Sequence, residues 1–169
     1  LAAVMEAERN IQGMVGSVID IVGDRRTLIF TASVKQAEIT ADILNRHRPG
    51  MADWVCGETP KADRHRILSA FQSGQVQVLG NCALLTEGYD NVGVEVVVMG
   101  RPTKSRCLFS QMAGRGMRPL TGVVDGLDTA EERRGAIAAS PKTNLEILDF
   151  VGNSGRHKLM SAADILGGK

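Results

Sequence analysis

The sequence predicts an α/β domain in three layers, a mainly parallel β-sheet flanked by helices on both faces. Three observations carry that expectation. Short apolar runs rich in valine and isoleucine recur along the chain, at 27–31, 76–81, 94–99 and 145–150. Stretches with apolar residues at three- and four-residue steps stand between most of them. Strands that are apolar throughout, rather than alternating, are those a helix-covered parallel sheet buries on both sides. The 169 residues suit one domain, and 43% hydrophobic with 23% charged residues excludes a disordered chain.

The first segment places Val4, Ile11, Val15, Val18 and Val22 on one stripe of a helix. Gly23, Asp24 and Arg25–Arg26 end it, so residues 1–24 are expected to be an N-terminal helix or interdomain linker. Residues 25–151 are the expected domain and 152–169 a polar tail, with a short helix near its end. Thr27–Thr31 is a buried strand. Ser33 with Gln36 three residues on is a capping-box signature for the next helix, whose apolar side is Val34, Ala37, Ala41 and Leu44. Pro49-Gly50 stops that segment, and a short strand follows over 51–55.

Thr59-Pro60 supplies a cap and a first-turn proline for a helix buried through Ile67, Leu68 and Phe71 and stopped at Gly74. Two valine-rich strands come next, at 76–81 and 94–99, then a helix over 105–116. Residues 120–143 are glycine-rich and charged and form a surface excursion, with Asp128 capping a short helix. The last strand covers 145–150. Ligands of parallel sheets gather at the carboxyl ends of the strands. The loops after Thr31, Asn81 and Met99 are therefore the places to look.

Charge and cysteine content narrow the chemistry. Twenty Lys and Arg against 19 Asp and Glu leave a net charge of +1, so any basic surface is local. Cys56, Cys82 and Cys107 are odd in number and far apart, which argues against zinc or a disulfide framework and fits a reducing, cytoplasmic location. His47, His65 and His157 lack metal-ligand spacing, so no metal site is expected. No apolar run approaches the ~20 residues of a membrane span, and no signal peptide is visible. The chain opens on Leu1 rather than methionine, which suggests a fragment.

The strongest chemical signal is QMAGRGMRP at 111–119. On a continuous helix Gln111, Arg115 and Arg118 share one face, since they are spaced by four and three. Gly114 and Gly116 are costly inside a helix, ~1 kcal/mol each against alanine, and suggest close approach of a backbone or ligand. From Val96 to Val124 there is no acidic residue, but Arg101, Lys104, Arg106, Arg115 and Arg118 are present. Forked guanidiniums suit a phosphate chain and can stabilise charge developing on a γ-phosphate. A solvated basic helix face is the plainer alternative.

Two weaker signals accompany it. Leu85–Asp90, LTEGYD, follows a strand where a ligand belongs: Gly88 permits close approach and Asp90 can accept from ribose hydroxyls, although an ordinary turn uses the same residues. Thr31 and Ser33 stand at a helix mouth, a phosphate site or simply a cap. Cys82 reads as a structural thiol, and Trp54 and Tyr89 as packing residues that could stack on bases. No GxxxxGK[ST] loop and no acidic box for magnesium is present.

Together these segments resemble the second RecA-like domain, of P-loop NTPase type, in superfamily 2 DEAD/DEAH helicases and translocases. TLIFTAS at 27–33 is similar to motif IV, TPKADRHRILSAFQSG at 59–74 to the segment after it, VLGNCALLTEGYD at 78–90 to motif V, and QMAGRGMRP to motif VI. EVVVMGRPTKSRCLFSQMAGRGMRP and ILDFVGNSGRH resemble the bacterial and phage group of DNA-repair and restriction motors.

The resemblance implies an ATP hydrolase with arginine fingers Arg115 and Arg118 and a coupling residue Gln111. It places Gly88, Asp90 and Gly114 beside the nucleotide, and Thr31, Ser33, Cys82 and Lys104 at nucleic acid. Many relatives have Thr-Asp where this chain has Cys82-Ala83, which leaves backbone contacts at that point. ATP and Mg2+ are then held mainly by an N-terminal RecA-like domain of the same protein, and this chain alone is expected to be inactive. The implied partner is nucleic acid, DNA favoured over RNA, with no membrane. The alternatives are a non-catalytic RecA-like binding module and the motor part of a restriction-type translocase.

Overall fold

The computed structural model describes residues 2–82, 84 and 91–156, with side chains from residue 9 to residue 155. The elements are α1 (Ala2–Val22), β1 (Thr27–Thr31), α2 (Val34–His47), β2 (Ala52–Cys56), α3 (Lys61–Ser73), β3 (Val78–Cys82), β4 (Val96–Gly100), α4 (Arg106–Gly114), α5 (Ala130–Ala139), β5 (Glu146–Asp149) and α6 (Asn153–Arg156). The five expected strands are all present, with ends displaced by one or two residues. The helix expected near the chain's end lies outside the described residues.

The strands form one sheet in the order β2-β3-β1-β4-β5, and all four pairings are parallel. Alternation along each strand sends side chains to two cores. On one face Ile29, Val78, Val96 and Val98 pack with Val15, Val18 and Val22 of α1 and Leu44 of α2. On the other, Leu28, Phe30, Leu79, Val97 and Met99 pack with Ile67 and Phe71 of α3 and Phe109 and Met112 of α4. The three-layer α/β architecture follows directly. The second half of α1 is one of its layers, since Val15, Val18 and Val22 are no more than 1% exposed.

The crossovers share one hand. The chain leaves β1 toward β2 over the α2 face, and returns to β3 over the α3 face. It leaves β4 for β5 over that same α3–α4 face. Opposite directions take opposite faces, as the right-handed rule requires.

Local signals are realised with small displacements. Ser33 caps α2, its hydroxyl oxygen accepting from the Gln36 N–H at 3.1 Å. The Gln36 side chain reaches back one residue further than a standard box and accepts from the Ala32 N–H at 2.8 Å. Gly74 ends α3 at φ 85°, a left-handed conformation that only glycine adopts cheaply. Thr59 does not cap α3, because Pro60 takes the cap position. Its hydroxyl instead accepts from the Cys56 N–H at 2.9 Å, closing the turn after β2. In the excursion the cap is Thr129 rather than Asp128. Thr129 and Glu132 form a full capping box, and nothing on α5 is buried.

Candidate functional site

Because every strand points the same way, the carboxyl ends of β1, β3, β4 and β5 lie at one edge. The connection from β1 runs to one side of the sheet and that from β4 to the other. Their divergence makes the gap between the carboxyl ends of these neighbouring strands the switch point at which open α/β sheets bind ligands. Gln36 spans its floor. While its oxygen holds Ala32, its Nε2 donates to the Gly100 carbonyl at 3.4 Å.

Thr31 and Ser33 divide the work at this edge. Thr31 is fully buried and its hydroxyl donates within the fold, to the Asn81 carbonyl at 3.1 Å. Ser33 is exposed, with its oxygen accepting in the cap. Cys82 ends β3 partly exposed, in register with buried Cys56 of β2. Gly88 and Asp90 lie outside the described residues.

The loop after β4 is built to hold Lys104 out. Thr103 is buried and its hydroxyl accepts from the Ser105 N–H at 3.0 Å. Asn153, fully buried on α6, accepts from the Thr103 N–H at 2.9 Å and donates to the Arg101 carbonyl at 2.8 Å. Lys104 is exposed between these anchors. Ser105 then caps α4, accepting from the Leu108 N–H at 3.2 Å.

The helix carrying Gln111 ends sooner than the spacing predicts. It stops at Gly114, and Arg115 is its C-cap at φ −60°, ψ −24°. Gln111 and Arg115 stay together, Arg115 Nε donating to the Gln111 carbonyl at 3.3 Å, and both are half-buried. Arg118 does not share their helical face. It sits beyond a turn closed by Met117 N–H to Gly114 O at 3.2 Å, and is exposed. The two glycines are the cause: the chain ends the helix where continuing it is weakest. Gly116 is covered by the Leu145 side chain, whose Cδ1 stands where a Cβ would project.

Lys142 was invisible in the sequence. It is 6% exposed, and its ammonium donates to the carbonyls of Val92 and Arg118, each at 2.7 Å. Burial holds this ammonium below the usual lysine range, against the pull of the Glu95 carboxylate. Its partners are 50 and 24 residues away, so no short-range pattern marks it. Asn153 stands in the ILDFVGN segment, whose asparagine gave no local sign of burial.

The helicase conserved C-terminal domain profile matches residues 13–119, motifs IV to VI included. The chain belongs to the helicase C-terminal domain family. Within it, 66 residues are 42% identical to IRC3 of Saccharomyces cerevisiae, which carries the name of an ATP-dependent helicase; the match covers 39% of this chain and 10% of that protein. The matches span 10% to 18% of the length of the curated relatives. Among solved structures, the C-terminal domain of the DEAD-box protein Dbp5 superposes with a TM-score of 0.62 at 15% identity, over 87% of this chain and 73% of that one. A fragment assigned to the HsdR subunit of a type I restriction enzyme from Vibrio vulnificus gives 0.60 at 21% identity, over 88% and 29%. These likenesses establish the helicase C-terminal, RecA-like fold. None of the described helices is long and apolar enough to cross a membrane.

Proposed function

We propose that this chain is the C-terminal motor domain of an ATP-dependent superfamily 2 helicase or translocase acting on nucleic acid, DNA in preference to RNA, in the cytoplasm. The observation that carries this reading is the common edge. The Ser33 helix mouth, the β3 end at Cys82 and the Lys104 loop all open at the carboxyl ends of one parallel sheet, and α4 leads from that edge to Gln111 and Arg115.

In this reading Arg115 and Arg118 face the triphosphate as arginine fingers, and Gln111 couples that site to nucleic acid. Gly88, Asp90 and Gly114 approach the nucleotide backbone and ribose. Ser33, Lys104 and the backbone at Cys82 contact phosphates of the strand, while Thr31 holds β1 to β3 behind them. Donors of this kind fit a polyanion. Among the described residues no three His, Cys, Asp or Glu side chains are grouped to hold a metal ion. In the same reading an N-terminal RecA-like domain of the same protein holds Mg2+ and most of the ATP contacts. Mg2+ there neutralises phosphate charge.

The test uses the whole protein. Arg115→Ala lowers nucleic-acid-stimulated ATP hydrolysis by about 10³-fold or more while ATP affinity changes little. Equal loss of binding and hydrolysis argues against a finger. Robust hydrolysis by the 169-residue chain alone refutes the division of labour between two domains.

A further inference from the structure

We propose that Lys142 is a positioning residue for the arginine turn, setting where Arg118 stands; this rests on the reading of Arg118 as a finger. Arg118 lies past the end of α4, so helical hydrogen bonding does not place it. Its backbone is placed instead by the buried ammonium, which joins the Arg118 carbonyl to the Val92 carbonyl.

Both ends of that clamp are fixed. Val92 belongs to a tight turn in which the Asn91 side-chain oxygen accepts from the Gly93 N–H at 3.0 Å and the Val94 N–H meets the Asn91 carbonyl. The Lys142 backbone is held by the Ser140 hydroxyl, which donates to the Lys142 carbonyl at 2.9 Å. Three residues on, Leu145 closes over Gly116, so the segment 142–145 touches the arginine turn at two points. A buried cation is costly unless its protons are matched by acceptors. Here the acceptors are carbonyls of two segments, the turn after motif V that leads into β4 and the arginine turn at the end of motif VI. Lys142 thereby fixes the spacing between them.

The experiment compares Lys142→Met, Lys142→Arg, Leu145→Ala, Arg118→Ala and the K142M/R118A double variant in the whole protein. The readouts are kcat and KM for ATP under saturating nucleic acid, with thermal unfolding recorded for each. K142M is expected to lower kcat about tenfold or more with KM for ATP little changed, since misplacement by about 1 Å can cost about 10²-fold. K142R restores part of the loss. The double variant is expected to be no slower than R118A, because Lys142 acts through Arg118. Additive losses, or wild-type kcat in folded K142M, overturn the proposal. If K142M does not fold, L145A carries the test by loosening the same segment without the buried charge. Wild-type turnover in L145A then overturns it. If R118A itself turns over normally, the finger reading fails instead.

Discussion

Asn153 holds Thr103 through a 2.9 Å bond from the Thr103 N–H to its side-chain oxygen, across 50 residues of chain. The same amide donates to the Arg101 carbonyl, so one buried side chain fixes the backbone that presents Lys104. Asn153→Ala leaves both backbone groups unpaired in a buried site. The expected loss of stability is roughly 2–4 kcal/mol, read from urea unfolding midpoints at unchanged slope. A loss below about 0.5 kcal/mol shows that water or a shifted loop replaces the amide.

Ser33 allows cap and ligand roles to be separated. Ser33→Ala removes the acceptor for the Gln36 N–H and is expected to cost about 1 kcal/mol. Ser33→Asp caps as well as serine but adds negative charge at the helix mouth. Stability close to wild type with weakened nucleic-acid binding is the expected pattern for S33D. Unchanged binding by S33D places the strand's phosphates elsewhere.

A side chain at Gly116 would displace the end of the Leu145 side chain. Gly116→Ala is expected to destabilise by about 1–3 kcal/mol through overpacking, and Leu145→Ala in the same chain should relieve most of that cost. Denaturation of the two single variants and the double variant measures the coupling. Additive effects mean that the turn moves away from β5 instead of pressing on it.

Asp149 ties stability to pH at the carboxyl end of β5. Partial burial raises its pKa, but the N–H groups of Ser154, Val151 and Asn153 and the Ser154 side chain outweigh that and hold the carboxyl below its ordinary range. A depressed folded pKa gives stability that is fully present above the unfolded value, about 3.9, and is lost as pH falls through the folded value. Wild type should therefore exceed Asp149→Asn by a constant margin at neutral pH, and the margin should shrink below about pH 4. Unfolding midpoints from pH 7 to pH 3 check this. A margin that grows on acidification refutes the assignment.

Most of the layered architecture was legible because it rests on local rules. Valine-rich runs became strands, the Ser33–Gln36 spacing became a cap, and Gly74 became a stop. The position of β1 at the centre of the sheet was not legible, since strand order is a non-local choice. The shared face of Gln111, Arg115 and Arg118 assumed a helix through two glycines. The chain ended it at the first, and only Gln111 and Arg115 remain on it. Lys142 and Asn153 escaped notice for one reason: each is buried against carbonyls or amides that folding alone brings near.

The clamp at Lys142 also bears on how this domain can vary. A single ammonium draws together the two ends of the excursion between Arg118 and Lys142. Its length is thereby uncoupled from the arginine turn, and doubling such a loop adds only about 0.6 kcal/mol of closure entropy. A fluorophore or epitope grafted at Gly126 should ride on the periphery with turnover intact, which makes this excursion the natural handle for engineering.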